Sequence, residues 1–161
     1  MNKLFIILSH FIKEEKGYAH CDIPCGIYDP HQAQLAAHTI LRMTKLLQDV
    51  TQSDDLASDH AIARLTHVKE KHTDLLEEEL ETLRNDYFKD EHFNEYKNLN
   101  DLFINTLKAS AKSRQGIDME SAQSALSGVL EIAEIFYKTK GVTPVRVKSV
   151  YPTEGEMVLY R

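Results

Sequence analysis

The feature that most restricts the fold is a set of apolar residues recurring every three or four positions, interrupted three times and abandoned only near the C-terminus. Ala36, Ile40, Met43, Leu47 and Val50 trace one face of a first helix that runs to about Thr51. Asp29-Pro30 marks its start, because Asp can cap and Pro at the first helical position loses no hydrogen bond. After the polar break Gln52-Ser53-Asp54-Asp55, a second helix over about 56–87 carries Leu65, His72, Leu76, Leu80, Leu83 and Tyr87 on or near one face. Its other side is rich in Glu and Lys, and Glu77-Glu78-Glu79 reads as a solvated face. A loop over 89–98 leads to a shorter third helix with Leu99, Leu102, Phe103, Thr106 and Leu107, broken at 113–116. Asp118 caps a fourth, whose Ala122, Ala125, Val129, Ile132, Ala133 and Phe136 face inward until Gly141 and Pro144 end it. Four amphipathic helices with short polar connections predict an all-α, up-down-up-down four-helix bundle over residues 30–141.

Past that point the period changes to two. Val145, Val147 and Ser149 alternate with Arg146, Lys148 and Val150, and Pro152-Thr153-Glu154-Gly155 reads as a turn before Met157-Val158-Leu159-Tyr160. The expectation is a hairpin or an extended C-terminal arm over 142–161. Nothing in the arm speaks of chemistry.

A chain of 161 residues with ordinary apolar and charged fractions has room for one domain with its own core. The formal net charge of -6 argues against binding to nucleic acid, which needs an excess of Lys and Arg on one face. No apolar run approaches the ~20 residues that span a bilayer, so no membrane partner is expected and the mature protein reads as soluble.

Residues 1–19 form a separate unit. Leu4, Phe5, Ile6, Ile7, Leu8, Phe11 and Ile12 precede Lys13-Glu14-Glu15-Lys16-Gly17-Tyr18-Ala19. A secretory signal would explain Lys3, the apolar stretch and the small residues Gly17 and Ala19. Ser9 and His10 interrupt that stretch, however, and four charges crowd the segment before the cut. The reading taken is a leader removed by a dedicated protease, leaving a cytoplasmic protein, with export as the alternative.

The chain has two cysteines, Cys21 and Cys25, four residues apart. A disulfide between them would close too short a loop to remove much unfolded-state entropy. Metal ligation, thiol redox chemistry and two incidental thiols remain. A structural zinc site wants four side chains, and there is no second cysteine pair. If the chain is cut before His20, the new amine, the backbone amide of Cys21, its thiolate and the Cys25 thiolate can form a planar nitrogen and sulfur set, which suits nickel(II). The His20 imidazole stays free for an axial position. Pro24 fixes its own φ, and Gly26 lets the chain turn sharply after the second thiolate.

His20, Cys21, Pro24, Cys25, Gly26, Tyr28, Asp29 and Pro30 fit the pattern His-Cys-x-x-Pro-Cys-Gly-x-Tyr-Asp-Pro, which resembles the nickel hook of nickel superoxide dismutases. Asp86-Tyr87-Phe88-Lys89 with His92-Phe93, and Ile135-Phe136-Tyr137-Lys138, are similar to two further stretches of that family. The resemblance spans about 20–140. It implies a bundle assembled as a homohexamer, one nickel ion per chain, leader removal to free His20, and disproportionation of the superoxide anion to oxygen and hydrogen peroxide, an antioxidant activity. His20, Cys21 and Cys25 would be the metal ligands. Tyr28 and Tyr87 would flank the substrate pocket and order the water that supplies protons, Asp22 would order the hook, and Lys89 would draw in superoxide. Asp86 would stand behind the site with the Tyr87 loop.

Where the family has a glutamate on its first helix paired with an arginine on its second, this chain has Ala36 and His72, and His72 is expected to orient the His20 imidazole. Losing the leader removes three Lys and two Glu and leaves a net charge of -7, so any attraction of superoxide is local. A nickel-carrying or storage protein without turnover, and a helical scaffold with a thiol switch, are the competing readings.

Overall fold

The computed structural model describes residues 25–50 and 55–161. The leader (1–19), His20, Cys21 and Asp22 lie outside the described residues. Helix α1 spans His31–Asp49, α2 Leu56–Thr82, α3 Asp90–Glu95, α4 Leu99–Gln115 and α5 Met119–Thr139, and strands β1 (Pro144–Lys148) and β2 (Glu156–Tyr160) close the chain. The long helices pack α1 on α2, α2 on α4, α4 on α5 and α5 back on α1. This is the expected bundle, and none of the described helices is long and apolar enough to cross a membrane.

The helix ends follow local chemistry. Asp29 accepts from the His31 amide at 2.7 Å, so it caps as expected, although regular helix begins at His31 with Pro30 as the cap residue. Asp55 accepts from Ser58 N at 2.8 Å and Asp118 from Ser121 N at 3.2 Å, which satisfies amides the first turn leaves unpaired. Ala33, Ala36, Ala37 and Ile40 of α1 meet Leu76, Leu80 and Leu83 on one side and Ala122, Ala125, Val129, Ile132, Ala133 and Phe136 on the other. Small residues let the backbones approach. A methyl group on Gly128 would sit 2.0 Å from Thr106 Oγ1, so α4 and α5 touch through a position that admits no side chain.

Several local features depart from the sequence reading. The end of the second helix is a π turn, Leu83–Tyr87, in which the Phe88 amide donates to Leu83 O at 2.9 Å, one residue further along than an α-helix would allow. The loop over 89–98 contains the short helix α3. The face of α2 taken as solvated hides two exceptions. Lys69 is 2% exposed and its ammonium donates to Ser113 O and Gly116 O, closing the end of α4, and Glu77 binds Arg114 at 2.7 Å. The α4 break falls at Gly116, because α4 continues through Gln115.

The C-terminal arm is an antiparallel hairpin with Val145 opposite Leu159 and Val147 opposite Met157. Gln34, fully buried on α1, donates from Nε2 to Val158 O at 3.1 Å and accepts from Val158 N at 2.7 Å, so a side-chain amide serves β2 as a neighbouring strand would. One turn further on, His38 Nε2 lies 2.9 Å from Glu156 O and its Nδ1 2.7 Å from Thr153 Oγ1. A carbonyl can only accept, so Nε2 carries the proton and Nδ1 receives the threonine hydroxyl's. Burial pushes the His38 pKa below its ordinary 6.5, and the bond to Glu156 offsets this only in part.

Candidate metal centre

The described chain begins at Cys25, whose side chain is exposed. Gly26 follows with φ +70°, in the left-handed region, so the backbone does turn sharply after the thiol. That turn brings the Ile27 amide to within 3.4 Å of Cys25 Sγ, as a donor. The sulfur also lies 3.9 Å from Ile27 O, so both polar groups of Ile27 face it, and a cysteine binds metal as its thiolate. An exposed, amide-supported sulfur on a glycine turn therefore fits a soft-metal ligand, and so fits nickel held by two thiolates and nitrogen donors.

Tyr28, the next aromatic residue, places its ring 5.6 Å from that of Tyr87. The π turn ends on Tyr87 and delivers it into an aromatic cluster: His92 stacks on it at 5.8 Å, Phe88 meets it edge-on at 5.0 Å and Phe136 lies at 4.5 Å. Tyr28, three residues after the thiol, thus meets Tyr87 ring to ring. Burial raises the pKa of Tyr87, and a hydrogen bond with Thr139 works against that rise. The direction of that 2.6 Å bond can be worked out. Thr139 already gives its proton to Phe136 O at 2.7 Å, so the Tyr87 hydroxyl is the donor to Thr139 and turns its remaining lone pairs outward. In this arrangement the Tyr87 oxygen keeps its lone pairs for accepting.

Lys89 is exposed, and its ammonium donates to Asp86 O at 2.7 Å, within the turn that holds Tyr87. Its own amide donates to His92 Nδ1 at 3.1 Å, which fixes the ring that stacks on Tyr87. Tyr137 has its hydroxyl pKa pushed up to about 12, chiefly by burial and further by the charge of Asp29.

His72 stands on α2, four residues before Leu76. Half-buried, it uses Nδ1 to donate to Val68 O at 2.8 Å and lines a cleft of about 410 Å³ together with Ala36, Arg42, Leu75 and the hairpin tip at Tyr151 and Thr153. Ala36 and His72 therefore line one cleft.

Sequence reasoning overlooked Thr139 and Lys140. Lys140 Nζ lies 4.6 Å above the centre of the Tyr87 ring and 5.5 Å from that of Phe136. A signal was present, because positions three and four beyond Phe136 share its helical face. Gln34 and His38 carried none, since polar side chains on a buried face are legible only once their partners are known.

The sequence model of nickel-containing superoxide dismutases matches residues 15–140, a span that covers the cysteine segment and the bundle and stops before the hairpin. The nickel superoxide dismutase of Streptomyces seoulensis is 37% identical over 131 residues, which are 81% of this chain and 95% of that protein. That of Streptomyces coelicolor is 37% identical over 122 residues, 76% of this chain and 88% of the other. Among solved structures, a native nickel superoxide dismutase superposes with a TM-score of 0.66 at 36% identity, covering 75% of this chain and 99% of that one. One with nickel ligation corresponding to the oxidised state gives 0.68 at 35% identity, with 76% and 99% covered. On sequence and fold together, this chain belongs to the family of nickel-containing superoxide dismutases.

Proposed function

We propose that the chain disproportionates superoxide to oxygen and hydrogen peroxide at one nickel ion held by His20, Cys21 and Cys25. The observation that carries this reading is the turn at Cys25-Gly26, with the Ile27 amide on the sulfur and Tyr28, three residues after it, against the Tyr87 ring. Bound nickel supplies a one-electron couple, nickel(III)/nickel(II), which two thiolates bring into the range where superoxide can both reduce and oxidise it.

The protein's own groups do the rest. Cys25 takes the Ile27 amide on its sulfur, and Asp22 steadies the segment between the two sulfurs. Tyr28 and Tyr87 wall the approach. Tyr87, its proton committed to Thr139, holds a water by accepting from it and leaves that water's other proton for the departing peroxide. Lys89, tied to Asp86, places positive charge near the mouth. His72 has its Nδ1 proton held by Val68 O, which leaves Nε2 as an acceptor for the outer N–H of the His20 imidazole.

Cleavage between Ala19 and His20 by a leader protease, a cytoplasmic site of action and a hexameric assembly complete the proposal. The leader's interrupted apolar stretch and the family membership support them.

The test is protein matured in its own host, assayed for N-terminal sequence, nickel content and superoxide removal. The reading expects an N-terminus at His20, one nickel per chain and turnover. Nickel without turnover would make the chain a carrier, and an intact Met1 on fully active enzyme would overturn the role of the His20 amine.

A further inference from the structure

The chain is acidic overall, so superoxide reaches the site only if local positive charge outweighs a repulsive field. Two lysines lie near Tyr87. The Lys89 ammonium donates to Asp86 O in its own turn, and Asp86, Asp90 and Glu91 all fall within three residues of it. Lys140 differs in each respect. No acid occurs between residues 135 and 145, and among the described residues its ammonium makes no ion pair or hydrogen bond.

Nor is Lys140 needed to cap α5. The last-turn carbonyls of Phe136, Tyr137 and Lys138 already accept backbone amides from Lys140, Val142 and Gly141. What holds the ammonium is the face of Tyr87, 4.6 Å away, with Phe136 beneath. Attraction between a cation and a ring face positions the charge while leaving its three N–H donors to solvent or to an anion.

We infer that Lys140 is the residue that receives superoxide at the mouth of the site, ahead of Lys89. A small monovalent oxyanion can hydrogen-bond to the ammonium and from there reach the Tyr28 and Tyr87 walls without crossing an acidic side chain of the last helix. The inference rests on the proposed reaction, because superoxide is the anion concerned.

The experiment has two arms that fail separately. In the first, kcat/KM of the nickel-loaded enzyme is followed against ionic strength. Lys140→Gln should lower it about threefold at low salt, roughly the factor for one unit charge ~7 Å away in water. The loss should fade as salt rises, exceed that of Lys89→Gln, and be restored by Lys140→Arg. In the second, the lysine ε-methylene NMR signals of the unsubstituted protein are followed while azide is added as an inert monovalent anion. Lys140, recognisable by its shift from the Tyr87 ring current, should move first. An unaltered salt dependence in Lys140→Gln with nickel retained would overturn the inference, as would azide shifts at Lys89 without any at Lys140. If the unsubstituted enzyme proved inactive the reaction itself would be wrong, and the azide arm would still decide whether Lys140 receives anions.

Discussion

The cysteine end and the C-terminal hairpin are both fastened to the bundle, but by opposite means. At the cysteine end the contacts are ring on ring, and the Cys25 sulfur is exposed with the Ile27 amide as a donor. At the hairpin, buried polar side chains reach across to backbone: Gln34 takes both hydrogen-bonding groups of Val158, and His38 takes Thr153 and Glu156. A directed polar contact out of water is costly to break and rigid, whereas aromatic packing tolerates small shifts. The difference teaches where each region draws its order. The hairpin is held by polar contacts within the chain, while the cysteine turn is the part that the proposed nickel would complete.

The largest effect that can test this contrast is at the sulfur. Cys25→Ser should bring superoxide removal to background and lose nickel, while thermal unfolding of the metal-free protein moves by no more than about 0.5 kcal/mol, because the side chain is exposed. Residual turnover with nickel bound would remove Cys25 from the ligand set.

Next comes Gln34→Leu, which strands two buried backbone groups and should cost about 2–4 kcal/mol, with faster amide exchange at Val158. Activity per bound nickel should hold. If it fell in step with hairpin loosening, the two regions would not be separable.

A smaller change is expected from Thr139→Val, which frees the Tyr87 proton. On ionisation the Thr139 hydroxyl can turn from Phe136 O and donate to the tyrosinate, which works against the rise that burial causes, so its loss should shift tyrosinate formation, followed by ultraviolet absorbance, to higher pH. Turnover should change severalfold with nickel content unaltered, and an unmoved titration would show that the bond is not made in solution.

The sequence made the helix faces legible because burial at a 3.6-residue period leaves a direct trace, and the caps at Asp55 and Asp118 and the turn at Gly26 obey local rules. The union of Tyr28 with Tyr87, some sixty residues apart, was legible only through the family resemblance. What stayed hidden depends on tertiary partners. A buried Lys69 is inseparable from the end of α4 that it closes, and Gln34 has meaning only opposite Val158. His72 sits where Ala36 leaves room, yet its partner in hand is Val68 O, one turn back on its own helix.

The smallest effect is one of acidity. The His38 pKa is lowered in the folded state, so below the ordinary value of 6.5 the unfolded chain binds more protons than the folded one. Stability from this group is therefore full above pH 6.5 and declines as pH falls toward the lowered folded value. The hairpin amides should exchange faster in mildly acidic buffer, and His38→Gln should flatten that dependence. Equal pH sensitivity in the variant would assign it to another group.

The π turn at Leu83–Tyr87 carries a consequence for how this end of the molecule tolerates change in chain length. With its wider loop the helix accommodates one residue more than α geometry would, so Leu83 and Phe88, five apart, both reach the core at 2% and 3% exposure. Deleting a single residue between them would let the segment relax to an ordinary helix with little loss of hydrogen bonding. Leu83 and Phe88 would then stand four apart on one α-helical face, so Phe88 would stay in the core and the residues after it would keep their direction. A one-residue deletion in this turn is therefore the tolerated one, whereas the same deletion in the regular part of α2 would rotate every later side chain by about 100° and dismantle the aromatic wall.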